Sequence, residues 1–297
     1  MSSPWSPLRI RVFRALWIAG LVSNIGTFMH IAAAGWTMTT LTESPTLVGL
    51  VQTAWAVPGF LLALHAGAFA DMVDRRRLIA ITQVVALIIA GALAVMQWSD
   101  LLSVNWLLAG TFFESIALTI SAPAFMALTP EIVDVEHLPQ AIGLDSISRN
   151  IAQSVGPALA GLLIALFNPG AVFALNAFSF IGIVFVAQHY KSSALPIERQ
   201  RGVNHAIGEG IKHIVGAAHL RNVALRLTVV LGATSALTSV MPVVARKNLD
   251  VSASGFGLLS SALGVGSVAA VWVLPRVRGA MSTEMVVLCA AAVWSCG

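Results

Sequence analysis

The chain has 297 residues, of which 57% are hydrophobic and only 10% are charged, whereas a soluble domain has about 25% charged residues. This composition excludes an ordinary soluble protein and indicates an integral membrane protein. The 17 lysines and arginines outnumber the 13 acidic residues, for a net charge of +4. Because the basic residues recur between apolar segments and form no basic domain, nucleic-acid binding is excluded as well.

A membrane-spanning helix needs roughly 20 mostly apolar residues. By this rule the sequence predicts spans at about 13–40, 46–70, 78–97, 103–128, 139–167, 169–189, 223–245 and 254–275, and a ninth that begins near 282. With a cytoplasmic N-terminus, all basic residues except Arg246 and Lys247 lie on the cytoplasmic side. This segregation predicts a multi-pass protein with its N-terminus in the cytoplasm.

The only long polar segment, at about 190–222, separates the sixth predicted span from the seventh. Within it, apolar residues at spacings of four and three predict an amphipathic helix on the inner membrane surface. These residues are Val203, Ile207, Ile211, Ile214 and Ala218. A plain linker is the favoured interpretation of this helix, and partner binding is the alternative.

A compact charge cluster lies between the second and third predicted spans. It consists of two small residues, two acids and three arginines: Gly67, Ala70, Asp71, Asp74, Arg75, Arg76 and Arg77. The pattern resembles the signature loop of the major facilitator superfamily, except that Asp74 stands where a glycine is usual. The resemblance implies that the loop helps to gate the cytoplasmic side. The alternative is that these charges only end two helices and set the topology.

Gly59, Ala63 and Gly67 recur every four residues in the second span and lead to Asp71. Small residues let helix backbones approach closely in lipid. The sequence therefore predicts a smooth helix face. The superfamily resemblance implies that this face slides against the opposite bundle.

The fifth predicted span carries a second ridge of small residues beside a proline, which predicts a kinked and closely packed helix. With its flanking glycines the segment resembles the superfamily's antiporter signature, which implies export. The matching positions are Gly143, Ala152, Gly156, Pro157, Ala160 and Gly161, with Ala152 and Ala160 where that signature prefers glycine. Generic helix packing is the alternative interpretation.

We single out three ionisable side chains well inside predicted spans, where such groups are costly and usually face a cavity or a partner. Glu114 is the main candidate for a proton or substrate contact, with a structural hydrogen bond as an equal alternative. His30 and His65 are interpreted as packing histidines, although both are also candidate contacts. Asn24 is a further candidate for the same cavity.

No metal-ligand spacing, catalytic constellation or phosphate-binding loop is present in the sequence. We therefore predict that the protein is not an enzyme and needs no metal or cofactor. Because the sequence has no ATP-binding motif, transport would depend on an ion or substrate gradient.

The run from Pro4 to Leu78 and the later segments APAFMALTPEIV and VGPALAGLL resemble the bacterial transmembrane secretion effector branch, the enterobactin-exporter-like proteins. The resemblance implies an all-α integral membrane fold of major facilitator type. Its expected parts are a six-helix N-terminal bundle at 1–189, a cytoplasmic amphipathic linker at 190–222, and a partial C-terminal bundle at 223–297. Because the superfamily usually has twelve helices, the chain is expected to be a fragment; a natural nine-span protein is the alternative.

The same resemblance implies a secondary active exporter in the bacterial inner membrane that works by alternating access. Its expected partners are a small amphiphilic substrate, siderophore or drug-like, the lipid bilayer, and protons as coupling ion. The opposing hypothesis is a membrane-embedded binding or regulatory protein that moves no cargo.

Overall fold

The computed structural model describes residues 3–189 and 218–281, together with positions 285, 286, 289 and 292. Long helices make up most of this part of the chain, and no strand occurs within it. The helices are α1 (Arg11–Leu41), α2 (Pro45–Met72), α3 (Arg75–Trp98), α4 (Val104–Ile132), α5 (Leu138–Leu166), α6 (Pro169–His189), α7 (Ala218–Val243) and α8 (Ala253–Ala280). A π-helical segment, Val244–Asn248, directly follows α7.

These helices confirm the all-α fold and follow the order of the first eight predicted spans. Six are both long enough and apolar enough to cross a membrane: α1, α2 as far as Ala63, α3, α4, α6, and α8 as far as Ala270. The more polar α5 and α7 have 29 and 26 residues, which exceeds the roughly 20 that a span needs. The predicted ninth span lies almost wholly outside the described residues.

The predicted linker helix also lies outside the described residues, except for Ala218, which is the first residue of α7. Helix α7 therefore begins before the predicted boundary at 223. The division of the chain into an N-terminal bundle, a linker and a second bundle stays a prediction.

Local sequence explains where several helices begin. Pro45 starts α2, a position at which the missing N–H of proline costs nothing. The carboxylate of Asp74 caps α3 by accepting from the backbone N–H groups of Arg76 at 2.9 Å and Arg77 at 3.3 Å. Partial burial alone would raise the pKa of Asp74, but these bonds and the Arg76 charge hold it below its usual value.

Because successive helices alternate in direction, their connections lie at two ends of the molecule. The arginine end contains the N-terminal segment, Asp74 with Arg75–Arg77, and the turn Val135–His137. The Glu43 end contains the connections at 42–44, 99–103 and 249–252. These two names are used below.

Helix α1 is at the centre of the fold and packs against α5 and α6, while α3 packs against α6 and α4. A large apolar cluster towards the Glu43 end includes Trp36, Phe173 and Phe256. A smaller one towards the arginine end includes Leu16 and Leu128. Helix α7 contacts α2, and α8 lies along α5, so this second group of helices faces the first across α1, α2 and α5.

Candidate functional site

A cavity of about 230 Å³ lies where α1, α2 and α5 face α7 and α8. Its wall is largely apolar and aromatic, with Phe28, Trp55 and Phe256 among the contributors. The polar side chains in the wall are uncharged: Gln52, Gln153, Thr238, Ser239 and Ser260. Two prolines inside helices, Pro157 in α5 and Pro242 in α7, also line it.

A second feature, a buried polar cluster, joins α1, α4 and α6 and consists of His30, Glu114 and Asn176. All three residues are 0% exposed. The Asn176 amide donates to Glu114 Oε1 at 2.7 Å, and His30 Nδ1 lies 3.3 Å from Glu114 Oε2. The structural hydrogen bond considered for Glu114 therefore exists, and the carboxyl group also faces a histidine.

Several polar atoms of this cluster have no hydrogen-bond partner among the described residues. They include His30 Nε2 and Asn176 Oδ1, while His30 Nδ1 and Glu114 Oε2 face each other at 3.3 Å without hydrogen-bond geometry. Buried polar groups are nearly always paired, so unpaired ones in a membrane protein indicate a functional site or a missing ligand. His30 is buried against Trp55 and Phe173, in agreement with the packing interpretation, and it also faces Glu114, so its role as a contact stays a prediction. Asn176 on α6 is a further member of the cluster.

The other two candidate contacts lie elsewhere. His65 is exposed on α2, so the interpretation of it as a packing histidine is wrong. The buried face of this part of α2 is formed by Ala66 and Ala70, each 2% exposed, and consecutive residues of a helix point in different directions. Asn24 Nδ2 donates to Ser148 Oγ at 3.2 Å, which ties α1 to α5 away from the cavity wall.

The antiporter-like segment places α5 between two other helices. At Gly156 an added Cβ would lie 2.7 Å from Phe28 Cβ and 3.1 Å from the Ile25 carbonyl oxygen, both on α1. At Gly161 it would meet the backbone of α8, with Ser254 Cα at 3.0 Å. Ala152, Pro157 and Ala160 are buried too. Gly143 is exposed, and its added Cβ would find nothing within 4 Å among the described residues.

The charge cluster is organised within the N-terminal helices. Asp74 caps α3, and Arg75 forms an ion pair with Glu131 of α4 while donating to the Ala127 carbonyl at 3.4 Å. Of the predicted sliding face, Ala63 is exposed and Gly67 has nothing within 4 Å of an added Cβ in the described part of the chain. The side chain of Asp71 lies outside the described residues, so its gating role stays a prediction.

The contacts that cross from α1 and α2 to the second group of helices concentrate at the Glu43 end. Arg246 donates to Thr39 Oγ1 at 3.1 Å, and its guanidinium carbon lies 5.8 Å from the Trp36 ring centroid. The Trp36 ring stacks on Phe256 at 5.6 Å, and Lys247 pairs with the exposed Glu43. Sequence reasoning placed both basic residues on the outer side but missed these contacts. The sequence did contain a clue to these contacts. Arg246 and Lys247 directly follow a predicted span on the outer side, where the first loop carries the acidic residue Glu43.

Residues 2–296 match the family model described as transmembrane secretion effector. The chain belongs to this family of the major facilitator superfamily. Its members are transporters, which confirms the prediction that the protein is not an enzyme.

Curated relatives of this chain include proteins named as siderophore transporters and as a macrolide efflux protein. The Staphyloferrin A transporter of Staphylococcus aureus is 24% identical over 85% of this chain and 64% of its own length. The enterobactin exporter EntS of Shigella boydii is 25% identical over 86% of this chain and 61% of its own length. A macrolide efflux protein A of Streptococcus pyogenes is 23% identical over 55% and 40%. The chain thus spans less than two thirds of the length of these relatives.

Solved structures share the fold. A bacterial homolog of the human lysosomal transporter Spinster, inward-facing and occupied, superimposes with a TM-score of 0.73 at 14% identity over 96% of this chain and 63% of that one. The D-xylose–proton symporter superimposes with a TM-score of 0.61 at 12% identity over 88% and 69%. These likenesses confirm the major facilitator fold of the chain.

Proposed function

We propose that this protein is a secondary active exporter of small amphiphilic molecules, siderophore or drug-like, in the bacterial inner membrane. It works by alternating access around the cavity between α1, α2 and α5 on one side and α7 and α8 on the other. The observation that carries the proposal is that both groups of helices contribute to the wall of this cavity. Transporter sites of this kind lie at the interface between bundles.

The wall chemistry supports an amphiphilic cargo. Aromatic residues such as Trp55 and Phe256 offer apolar surface, while the amides of Gln52 and Gln153 offer both donors and acceptors. No lysine, arginine or acid contributes to the described wall. At about 230 Å³ the cavity is smaller than the roughly 300–1,000 Å³ of typical ligand pockets, so the helices must separate to admit a cargo.

The distribution of contacts supports alternating access. The Arg246, Lys247 and Phe256 contacts close the Glu43 end. Because the arginines mark the cytoplasmic side under the positive-inside rule, this arrangement corresponds to a state closed to the outside.

Proton antiport is the proposed energy source. Glu114 and His30 form a buried titratable pair on two helices of the N-terminal bundle, and intramembrane ionisable residues commonly serve proton relays. The antiporter-like segment on α5 supports export as the direction. Asp71 and the arginine loop are proposed to help close the cytoplasmic side.

The decisive experiment is an efflux assay with the complete reading frame, expressed in a bacterial strain that lacks its own amphiphile exporters. Retention of labelled siderophores, macrolides and dyes is measured with and without a proton gradient. We expect lower retention of at least one cargo, and we expect an uncoupler to abolish the effect. Unchanged retention across the whole panel would contradict export and favour the binding or regulatory hypothesis.

Glu114→Gln tests the coupling residue in the same assay. We expect the pH dependence of efflux to be lost, because the glutamine cannot bind or release a proton at this site. Glu136→Gln, which changes an exposed acid at the arginine end, is the matched control and should keep the original profile. If Glu114→Gln also keeps it, proton coupling does not pass through this residue.

A further inference from the structure

Trp55 lies between the cavity and the buried cluster of His30, Glu114 and Asn176. Its side chain lines the cavity, and its ring centroid lies 6.5 Å from that of His30 with an interplanar angle of 34°. His30 is 0% exposed and does not line the cavity, although the next two residues, Ile31 and Ala32, do. Water in the cavity is therefore separated from His30 at the position of this tryptophan.

The second aromatic neighbour of His30 leads in a different direction. Phe173 on α6 lies with its ring centroid 5.0 Å from the histidine ring, and it is 0% exposed. Phe173 is part of the large apolar cluster, so this face of the histidine ring is covered by the protein core. Trp55, in contrast, is only half-buried, so the tryptophan side is the shorter way from water to the cluster.

The backbone of Trp55 is tied to the helix that carries the carboxyl group. Ser115 Oγ donates to the Trp55 carbonyl at 2.5 Å, and Ser115 directly follows Glu114 on α4. A displacement of α2 at this point would stretch or break this hydrogen bond beside Glu114.

We propose that Trp55 is the barrier between the transport cavity and the His30–Glu114–Asn176 cluster, and that displacement of its ring admits water to the cluster. The part of this proposal that concerns coupling rests on the proposed proton antiport. The barrier itself rests only on the positions of the rings. In this role Trp55 is a positioning residue that neither binds nor releases a proton.

The contacts of the cluster limit which groups exchange the proton. Among the described residues, His30 contacts Glu114, Trp55 and Phe173, and Glu114 contacts His30 and Asn176. No third titratable side chain takes part in these contacts. When the ring of Trp55 moves aside, a proton from cavity water binds to the pair, and it returns to water at the next opening.

Chemical modification of His30 tests the barrier without any transport assay. Diethyl pyrocarbonate transfers an ethoxycarbonyl group to an unprotonated imidazole nitrogen and releases ethanol and carbon dioxide. The full protein is treated in detergent, and each histidine is followed by mass spectrometry. In the unaltered protein we expect His30 to react far more slowly than His189, which is exposed at the end of α6.

Trp55→Ala should raise the rate at His30 by at least about tenfold, because a buried group reacts only when it opens to solvent. Trp55→Phe, which keeps part of the ring, should give an intermediate rate. Trp106→Ala is the matched control, since it removes a tryptophan that is 56% exposed on α4, and it should change nothing at His30. Elution as a single species on gel filtration checks that each variant is folded.

Two results would overturn the barrier: equal rates at His30 and His189 in the unaltered protein, or a protected His30 in Trp55→Ala. If Trp55→Ala does not fold, an unchanged rate in Trp55→Phe has the same meaning. The failure of proton coupling is a separate result, since it would appear as an unaltered pH profile in Glu114→Gln while the rates at His30 still responded to Trp55.

Discussion

The two ends of the molecule are held together in different ways. At the Glu43 end, Arg246, Lys247 and Phe256 of the second group of helices contact α1 and its following loop. At the arginine end, the described contacts of Arg75 stay within the first group, with Glu131 and Ala127 of α4. The described contacts between the two groups of helices are concentrated at the Glu43 end, whereas the ion pair between Arg75 and Glu131 at the arginine end lies inside one group.

Under the proposed alternating access, this difference indicates which contacts would have to break. A contact within one group can persist while the two groups rock, whereas a contact between them cannot. On this proposal, the contacts at the Glu43 end set the balance between the two access states, and the Arg75–Glu131 pair persists in both. The predictions below test this distinction, beginning with the largest expected effect.

Gly161→Ala should disrupt the Glu43 end most strongly. The new methyl group would meet the Ala253 carbonyl oxygen and lie 3.1 Å from Gly257 Cα, and backbone atoms cannot move aside as a side chain can. Overpacking of this kind costs about 1–3 kcal/mol. Thermal unfolding in detergent should show a lower Tm, and efflux should fall. Gly143→Ala, in the same helix but without a close neighbour, should leave both unchanged; equal effects of the two variants would contradict the tight crossing.

Arg246→Ala should weaken the closure of the same end without damaging the fold. A hydrogen bond from a charged group contributes about 1.5–3 kcal/mol and the contact with the Trp36 ring about 0.5–1 kcal/mol. A cysteine at Val48, which is 3% exposed and lines the cavity, reports opening through its reaction with an impermeant maleimide. We expect faster labelling in Arg246→Ala, by about fivefold for each kcal/mol lost, and a smaller change in Arg246→Lys. Unchanged labelling would show that Arg246 does not hold this end closed.

Asp74→Ala should destabilise the arginine end modestly, by about 1 kcal/mol, through loss of the cap of α3. Because the folded pKa of Asp74 is below its usual value, its contribution is present above the unfolded pKa of about 4 and is lost as pH falls through the folded pKa. The difference in Tm between Asp74→Ala and the unaltered protein should thus disappear in acid. Asp134→Ala is the control, because the side chain of Asp134 makes no capping hydrogen bond. A pH-independent difference would argue against the charged cap.

Lys247→Ala should have the smallest effect. The Glu43 side chain is 91% exposed, and exposed ion pairs contribute little because water screens them. The hydrogen bond and charge of Lys247 hold the pKa of Glu43 below its usual value, so any contribution is present at neutral pH and lost in acid. We expect no measurable change in Tm and little change in labelling at Val48. A response as large as that of Arg246→Ala would place the main closure at the ion pair.

Much of the fold could be predicted from the sequence because lipid imposes a simple rule. Every span needs a long apolar helix, so the hydropathy pattern alone located α1 to α6 and α8 closely. The start of α7 was less accurate, because His219, Arg221 and Asn222 near its beginning are polar and were assigned to the linker. Gly156 and Gly161 were identified as packing positions by their size, but only the structure shows that one faces α1 and the other α8.

The candidate site was less predictable because it depends on which helices meet. Glu114 stood out as an acid inside a span, yet nothing in the sequence pairs it with His30 or Asn176, which are far away along the chain. His65 looked equivalent to His30, and the facing of each helix decided between them. Trp55 carried no signal, since an aromatic residue in an apolar span is ordinary.

The two prolines in the cavity wall have a consequence for the helices that carry them. A proline has no N–H, so Pro157 and Pro242 leave the carbonyl oxygens of the residues four positions earlier without their helical donors. Those residues are Gln153 and Thr238, and both line the cavity. The cavity wall therefore includes two helix positions at which the regular backbone hydrogen bond is absent. Replacing either proline by alanine would supply the missing N–H and straighten the helix beside the cavity.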